Sequence, residues 1–239
     1  MDQIEEFVDQ RQKSWCIHCG KSIAEVETNR DHVPSKGFLL QPYPPNLPRV
    51  QVCKACNVGF SPDEEYLFAF LGSVLTGSTE PERQCHPTAA RVLKRNMKLR
   101  TRIERSKEAY ETRGGETQVI WKPDAATVSR VIVKNARGHA FFEYGEPMLH
   151  APQSVWCMPL QSLTVDERED FENLMHSGLS GWPEVGSRMM TRIATGQDLS
   201  NGWVIVQDNI YRYAAVQAGV MYVRSVIFEY LATEVYWDD

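Results

Sequence analysis

Residues 16–19 read CIHC, residues 53–57 read CKACN, and between them residues 30–37 read RDHVPSKG. Two C-x-x-C pairs a few tens of residues apart can form two tight knuckles that close a tetrahedron of thiolates around one zinc ion. Gly20, directly after Cys19, supplies the permissive backbone that such a turn needs. Cys16, Cys19, Cys53 and Cys56 are therefore the candidate ligands of a structural zinc; redox-active or unliganded cysteines are the alternative. His18 lies inside the first knuckle, but four thiolates already fill the tetrahedron, so it reads as solvent-facing. Cys85 and Cys157 have no partner spacing and read as small apolar residues.

The chain has 239 residues, 42% hydrophobic and 24% charged. That is one large domain or two small ones with a core of ordinary size. No apolar run reaches membrane-spanning length, and the acidic start MDQIEEFVDQ is neither a signal nor a transit peptide. A cytoplasmic location is expected, where disulfides are a poor default. The formal charge of −5 argues against an indiscriminate nucleic-acid binder. The charge is uneven. Residues 1–115 hold 17 basic against 15 acidic side chains and residues 116–239 hold 9 against 16, so the halves carry +2 and −7. Gly114-Gly115 marks the expected boundary, giving domains over 1–115 and 116–239.

Residues 4–14 read as a short amphipathic helix. Residues 41–50, QPYPPNLPRV, are extended, because proline rejects helix. Ser61-Pro62-Asp63-Glu64 is a helix start with Ser as cap and Pro at the first position, leading into the apolar run EEYLFAFLGSVL. A second helix is expected from Pro87 to Thr112, stopped by Gly114-Gly115. In it Arg91, Arg95, Lys98, Arg102 and Arg105, spaced 4, 3, 4 and 3, line one face. Asp124 can cap a third helix ending at Gly138, and Asp166–Met175 a fourth. The runs HAFFEY, SVWCMPL, GSRMMTRIAT, GWVIVQD, IYRYAAV and GVMYVRSVIFEYLATEVYW read as strands, several separated by turns such as Asn201-Gly202 and Ala218-Gly219. The fold class is α+β with an antiparallel sheet in the C-terminal region. There is no P-loop, dinucleotide fingerprint or internal repeat.

Over about residues 15–66 the chain resembles the zinc-containing HNH endonucleases, whose pattern is C-x-x-C, then D-H-x-x-P, then N-L, then C-x-x-C followed by His or Asn. Here the order is Cys16–Cys19, Asp31-His32 with Pro34 one position early, Asn46-Leu47, and Cys53–Cys56 with Asn57. The resemblance implies a ββα-metal hairpin and helix stapled by the zinc. It implies His32 as general base, Asp31 and Asn57 as ligands of a catalytic Mg²⁺ or Mn²⁺, and Asn46 as the residue that holds the hairpin loop and orients His32. This chemistry suits phosphodiester hydrolysis: a neutral imidazole accepts a proton near pH 7, and a hard dication neutralises charge on the phosphate. Adjacent strand residues face opposite ways, so convergence of Asp31 and His32 on one phosphate requires a bend, which Pro34 and Gly37 favour. The basic residue that often follows the last motif position is replaced here by NVGFSPDEEY.

The implied substrate is DNA, with RNA the alternative, and the family setting is restriction or anti-phage defence. The stripe Arg91, Arg95, Lys98, Arg102 and Arg105 is the candidate backbone contact, or else the wet face of an amphipathic helix. One site per chain makes a homodimer the expectation for a double-strand cut, and the acidic half is the candidate surface for a protein partner. A zinc-stapled module that binds nucleic acid without cutting is the competing reading. His86, His139, His150 and His176 read as structural.

Overall fold

The computed structural model describes residues 1–4, 13–174 and 182–238. The helix expected over 4–14 falls largely outside them, as do Met175 and His176. By its internal contacts the chain divides into residues 1–59 with 132–239, and residues 60–131. The expected boundary at Gly114-Gly115 is instead a turn inside the second unit. Gly115 takes φ +78° there, and Thr112 N–H donates to Glu116 O at 2.8 Å.

In the first unit the knuckle segment leads to strand β1 (Thr28–His32), which pairs antiparallel with β2 (Arg49–Cys53), from Thr28 opposite Cys53 to His32 opposite Arg49. Helix α1 (Lys54–Thr76) begins directly after β2. This is a ββα order. Helix α1 starts seven residues before the expected Ser61 cap and carries Pro62 in its interior. The second knuckle explains the early start, since Cys53 Sγ accepts from Cys56 N–H at 3.3 Å and so serves the helix as an N-cap acceptor.

Helix α1 continues into the second unit, where Tyr66 stacks on Phe70 and Phe70 meets Trp121 edge-on. The helix expected over 87–112 is three elements: α2 (Pro87–Arg95), α3 (Met97–Glu104) and β3 (Lys107–Glu111), which pairs with β4 (Thr117–Trp121). Asn96 causes the first break. Its amide oxygen accepts from Leu99 N–H at 3.0 Å, capping α3 while its backbone leaves the helical region.

Helix α4 (Ala125–Tyr144) starts where expected, with Asp124 Oδ1 accepting from Thr127 N–H at 3.1 Å. It does not stop at Gly138, and HAFFEY is its last turns, not a strand. Gly138 serves close packing instead: a Cβ there would lie 2.6 Å from Val33 Cγ2 and 2.9 Å from Cγ1. Gly138→Ala gains up to about 1 kcal/mol of helix propensity but drives a methyl into a buried, χ1-stiff valine. We expect a net destabilisation of about 1–3 kcal/mol, measured by urea unfolding; a variant more stable than the parent would show that helix and strand can separate freely.

The remaining elements are β5 (Ser154–Pro159), α5 (Val165–Glu172), α6 (Arg188–Thr195), β6 (Leu199–Ser200), β7 (Trp203–Gln207), β8 (Tyr211–Gln217), β9 (Met221–Ile227) and β10 (Leu231–Trp237). The six strands form one antiparallel sheet in the order β5-β10-β9-β8-β7-β6. GSRMMTRIAT is thus helix α6, capped by Ser187 Oγ and ended by Gly196 at φ +74°. Side-chain alternation gives the sheet two buried faces. One packs Ala214, Val226 and Ala232 with Phe171 of α5. The other turns Tyr211 and Tyr213 toward α4, where the His139 ring stacks 3.7 Å from that of Tyr213 and its Nε2 lies 3.0 Å from Tyr211 Oη.

Charge is buried on the α4 side. Glu143 and Arg192 are both fully enclosed; Arg192 Nε meets both Glu143 oxygens at 3.1 Å, its Nη1 reaches Asp198 at 2.7 Å, and Tyr213 Oη donates to Glu143. On the other face Arg212 pairs with Glu172 and Glu229, and Arg224 with Glu234. Glu143 and Asp198 thus spend their charge inside the fold, while Glu172, Glu229 and Glu234 pair at its edge.

Candidate functional site

The four knuckle sulfurs converge. Cys16, Cys19, Cys53 and Cys56 place their Sγ atoms within 4.8 Å of one another, and Cys19 and Cys53 are 3.7 Å apart. A tetrahedral zinc with Zn–S bonds of about 2.3 Å needs sulfurs about 3.8 Å apart, so the donor set fits. The first knuckle closes through Gly20 N–H to Cys16 O at 2.8 Å, with Gly20 at φ +68°. The second is the start of α1. Burial, then the sulfurs of Cys53 and Cys19, pushes the Cys56 thiol up; four thiolates at this distance need a cation to coexist. Cys53 N–H also donates to Cys16 Sγ at 3.4 Å, tying one knuckle to the other. The chain thus holds a cysteine cluster built for a metal such as zinc, at the junction of the β1–β2 hairpin with α1. Around it lies a small core of Ile17, Val33, Val50, Val52 and Phe141.

Asp31 and His32 end β1, and both are regularly paired with β2. His32 pairs with Arg49, and Val33 N–H continues the ladder to Pro48 O at 2.9 Å. The bend that Pro34 favoured comes directly after them, at Val33-Pro34, and within the strand the two side chains take opposite faces. Asp31 lies on the buried face with Val33 and Val50. Its carboxylate pairs at 2.8 Å with Lys134 Nζ, whose side chain is 2% exposed. Lys134 also donates to Ser35 Oγ at 2.8 Å, and Asn135 Oδ1 accepts from Ser35 N–H at 3.1 Å and from its hydroxyl at 3.2 Å. Two consecutive residues of α4 therefore grip the end of β1 and the loop that follows. Sequence reasoning missed both. The signal was a lysine and an asparagine set in the apolar run VSRVIVKNARG, where ordinary core helix would carry neither.

His32 lies half-buried on the other face, with Arg30 two residues before it on the same strand and Arg49 opposite. Burial, then the charges of Lys36, Arg49 and Lys134, brings its pKa down to about 4, so the imidazole is neutral at pH 7. Asn57 is half-buried in the first turns of α1. Asn46 is an exposed turn residue at φ 56°, and its amide donates to Met1 O at 3.3 Å; none of its hydrogen bonds among the described residues reaches β1. Among the described residues the cysteine quartet forms a His/Cys/Asp/Glu cluster close enough to share an ion, and Asp31 belongs to none.

The basic stripe is divided by the break at Asn96. Arg91 and Arg95 belong to α2, Lys98 and Arg102 to α3, and Arg105 is the C-cap of α3. Arg91 donates to Thr88 Oγ1 at 3.2 Å, and Arg95 pairs with Glu65. Arg102 pairs with Asp124 and lies 4.8 Å over the Tyr66 ring. Lys98 and Arg105 flank a shallow cleft beside the exposed Met97. No helix of the described residues is long and apolar enough to cross a membrane. No protein-family model, curated protein or solved structure matches the chain.

Proposed function

We propose that the chain is an HNH-type endonuclease that hydrolyses DNA phosphodiester bonds at the end of β1. The observation that carries this reading is a ββα unit stapled by four cysteines, with Asp31-His32 closing its first strand and Asn57 in its helix. In it His32 takes a proton from the attacking water, which a neutral imidazole can do. Lys134 and Asn135 act as positioning residues through Ser35, holding the loop that follows His32.

Asp31 and Asn57 offer the hard oxygen donors that suit Mg²⁺ or Mn²⁺. An ion at Asp31 would have to displace the Lys134 ammonium, which already balances the carboxylate. Bound there, it would supply charge neutralisation at the phosphate. The zinc of the cysteine quartet is structural in this reading, with no open position for substrate.

The test is conversion of supercoiled plasmid to nicked or linear form by the full chain with added Mg²⁺ or Mn²⁺, alongside an RNA substrate of equal length. His32→Ala should slow cleavage by about 10²- to 10⁴-fold with zinc content and melting temperature unchanged. Cleavage by His32→Ala at the parental rate would overturn the assignment. Tight binding of DNA without any cleavage would favour the non-catalytic module.

A further inference from the structure

The face of the β1–β2 hairpin that carries His32 is cationic. Side-chain alternation and the strand register put Arg30, His32, Arg49 and Gln51 on it together. Arg30 and Arg49 are both exposed, and among the described residues neither is engaged in an ion pair. Arg30, Arg49 and Gln51 of this face line a cleft of about 560 Å³ next to His32 in the strand register, and its lining also includes Lys13 and Arg188. Arg188 is fixed in place: it donates to Phe142 O at 2.6 Å and Ile4 O at 3.2 Å, and lies 4.1 Å over the Phe142 ring. Burial, then the charge of Arg188, lowers the pKa of Lys13, as crowding of like charges does. Asp2 is the carboxylate among the described lining residues. Arg30 and Arg49, two exposed cations side by side in a protein of net charge −5, make a local field that favours a polyanion.

We propose that this cleft binds the phosphodiester backbone of the nucleic-acid substrate, with Arg30 and Arg49 contacting phosphates beside the bond cleaved by the water that His32 deprotonates. The geometry suits that task. Arg49 sits directly across from His32, with Cβ atoms about 5 Å apart in such a pair. Arg30 lies two residues along the same strand, about 7 Å away. A phosphate held by either guanidinium is therefore within reach of the imidazole. Such contacts fix register on the duplex and read no sequence. The stripe over 91–105 is less available for the role, because Arg95 and Arg102 are tied to Glu65 and Asp124.

The catalytic role of His32 is borrowed from the proposed function, but the binding claim is tested without cleavage. Fluorescence anisotropy of a labelled 20-base-pair DNA duplex is followed with the full chain, without added divalent ions, across a salt series. Each phosphate contact contributes about 0.9 to the slope of log affinity against log salt. Arg30→Gln/Arg49→Gln should therefore lower that slope by nearly two and weaken binding at least tenfold at low salt, while Lys98→Gln/Arg105→Gln leaves both unchanged. Arg30→Lys/Arg49→Lys should restore most of the slope, which a folding defect would not allow. The same loss measured on an RNA duplex would support the cleft equally. An unchanged slope in Arg30→Gln/Arg49→Gln, or a loss carried by Lys98→Gln/Arg105→Gln, would overturn it, as would a parent protein that binds neither duplex. Binding through Arg30 and Arg49 without any cleavage would sink the endonuclease reading and leave the cleft standing. Cleavage with no dependence on these arginines would do the reverse.

Discussion

Stripping the metal from the cysteine quartet should unfold the module that carries Asp31 and His32. Structural zinc in small modules contributes about 10–16 kcal/mol of apparent binding free energy at neutral pH, as much as or more than the roughly 5–15 kcal/mol stability of a whole domain. Here the quartet is the joint between two knuckles, the β1–β2 hairpin and the start of α1, and the core around it is small. Cys53 does three jobs at once. It is a sulfur donor, its Sγ caps α1 through Cys56 N–H, and its own N–H bonds Cys16 Sγ. Cys19 is exposed, and the backbone N–H its sulfur accepts, from Lys21, lies within its own knuckle and ties it to neither hairpin nor helix. We therefore expect one zinc per chain by elemental analysis, released by Cys53→Ser with loss of cooperative melting and rapid proteolysis within residues 13–59. Cys19→Ser should weaken zinc less, and Cys85→Ser and Cys157→Ser, at exposed positions outside the cluster, should change neither zinc nor melting. A metal-free chain that melts like the parent would remove zinc from the account of this fold.

The zinc knuckles were legible because their information is local: two short spacings and a glycine that turns at φ +68°. The same holds for the Asp124 cap and the Asn201-Gly202 turn, where Asn201 and Gly202 take φ 51° and 83°. What the sequence hid was decided by contacts distant along the chain. Gly138 looks like a helix stop, yet α4 runs through it because Val33 packs where a side chain would be. The run from Met221 to Trp237 looks like one long strand, yet it folds back at Phe228-Glu229, with φ 58° and 47°. That is a three-residue hairpin loop, Phe228–Tyr230, whose two left-handed positions hold residues with no propensity for them, and pairing of β9 with β10 holds it in place. The single helix under the basic stripe failed for a related reason: counting by helical spacing assumes an unbroken helix, and Asn96 breaks it. At the candidate site Asp31 and His32 could be read from their neighbours in sequence, whereas Lys134 and Asn135 lie about a hundred residues away on an element that gave no motif. The placement of Arg30 and Arg49 on one face is likewise a product of strand register, which no spacing rule supplies.

Lys134→Met should cost about 3–5 kcal/mol, the usual penalty for leaving a buried charge without its partner. The partner here is Asp31, whose side chain is 11% exposed against 2% for Lys134, and their separation of 2.8 Å is that of a charge-assisted hydrogen bond. Methionine fills the lysine stem's volume, so the loss reports charge and not packing. Asp31→Asn added to Lys134→Met should recover most of the loss, because the double variant buries no net charge. The coupling should appear in a double-mutant cycle by urea unfolding without divalent ions; additive losses would show that the two groups do not depend on each other. The same variants weigh Asp31 as a metal ligand by stability alone. With the ammonium gone, the carboxylate of Lys134→Met is the stronger cation site, and millimolar Mn²⁺ should raise its unfolding free energy by about 2.7 kcal/mol when the ion is at a hundred times its dissociation constant. Asp31→Asn/Lys134→Met should not respond. If Mn²⁺ stabilises both variants equally, or neither, the carboxylate at the end of β1 is a structural partner of α4, and the charge that offsets the phosphate must come from the arginines of the hairpin face.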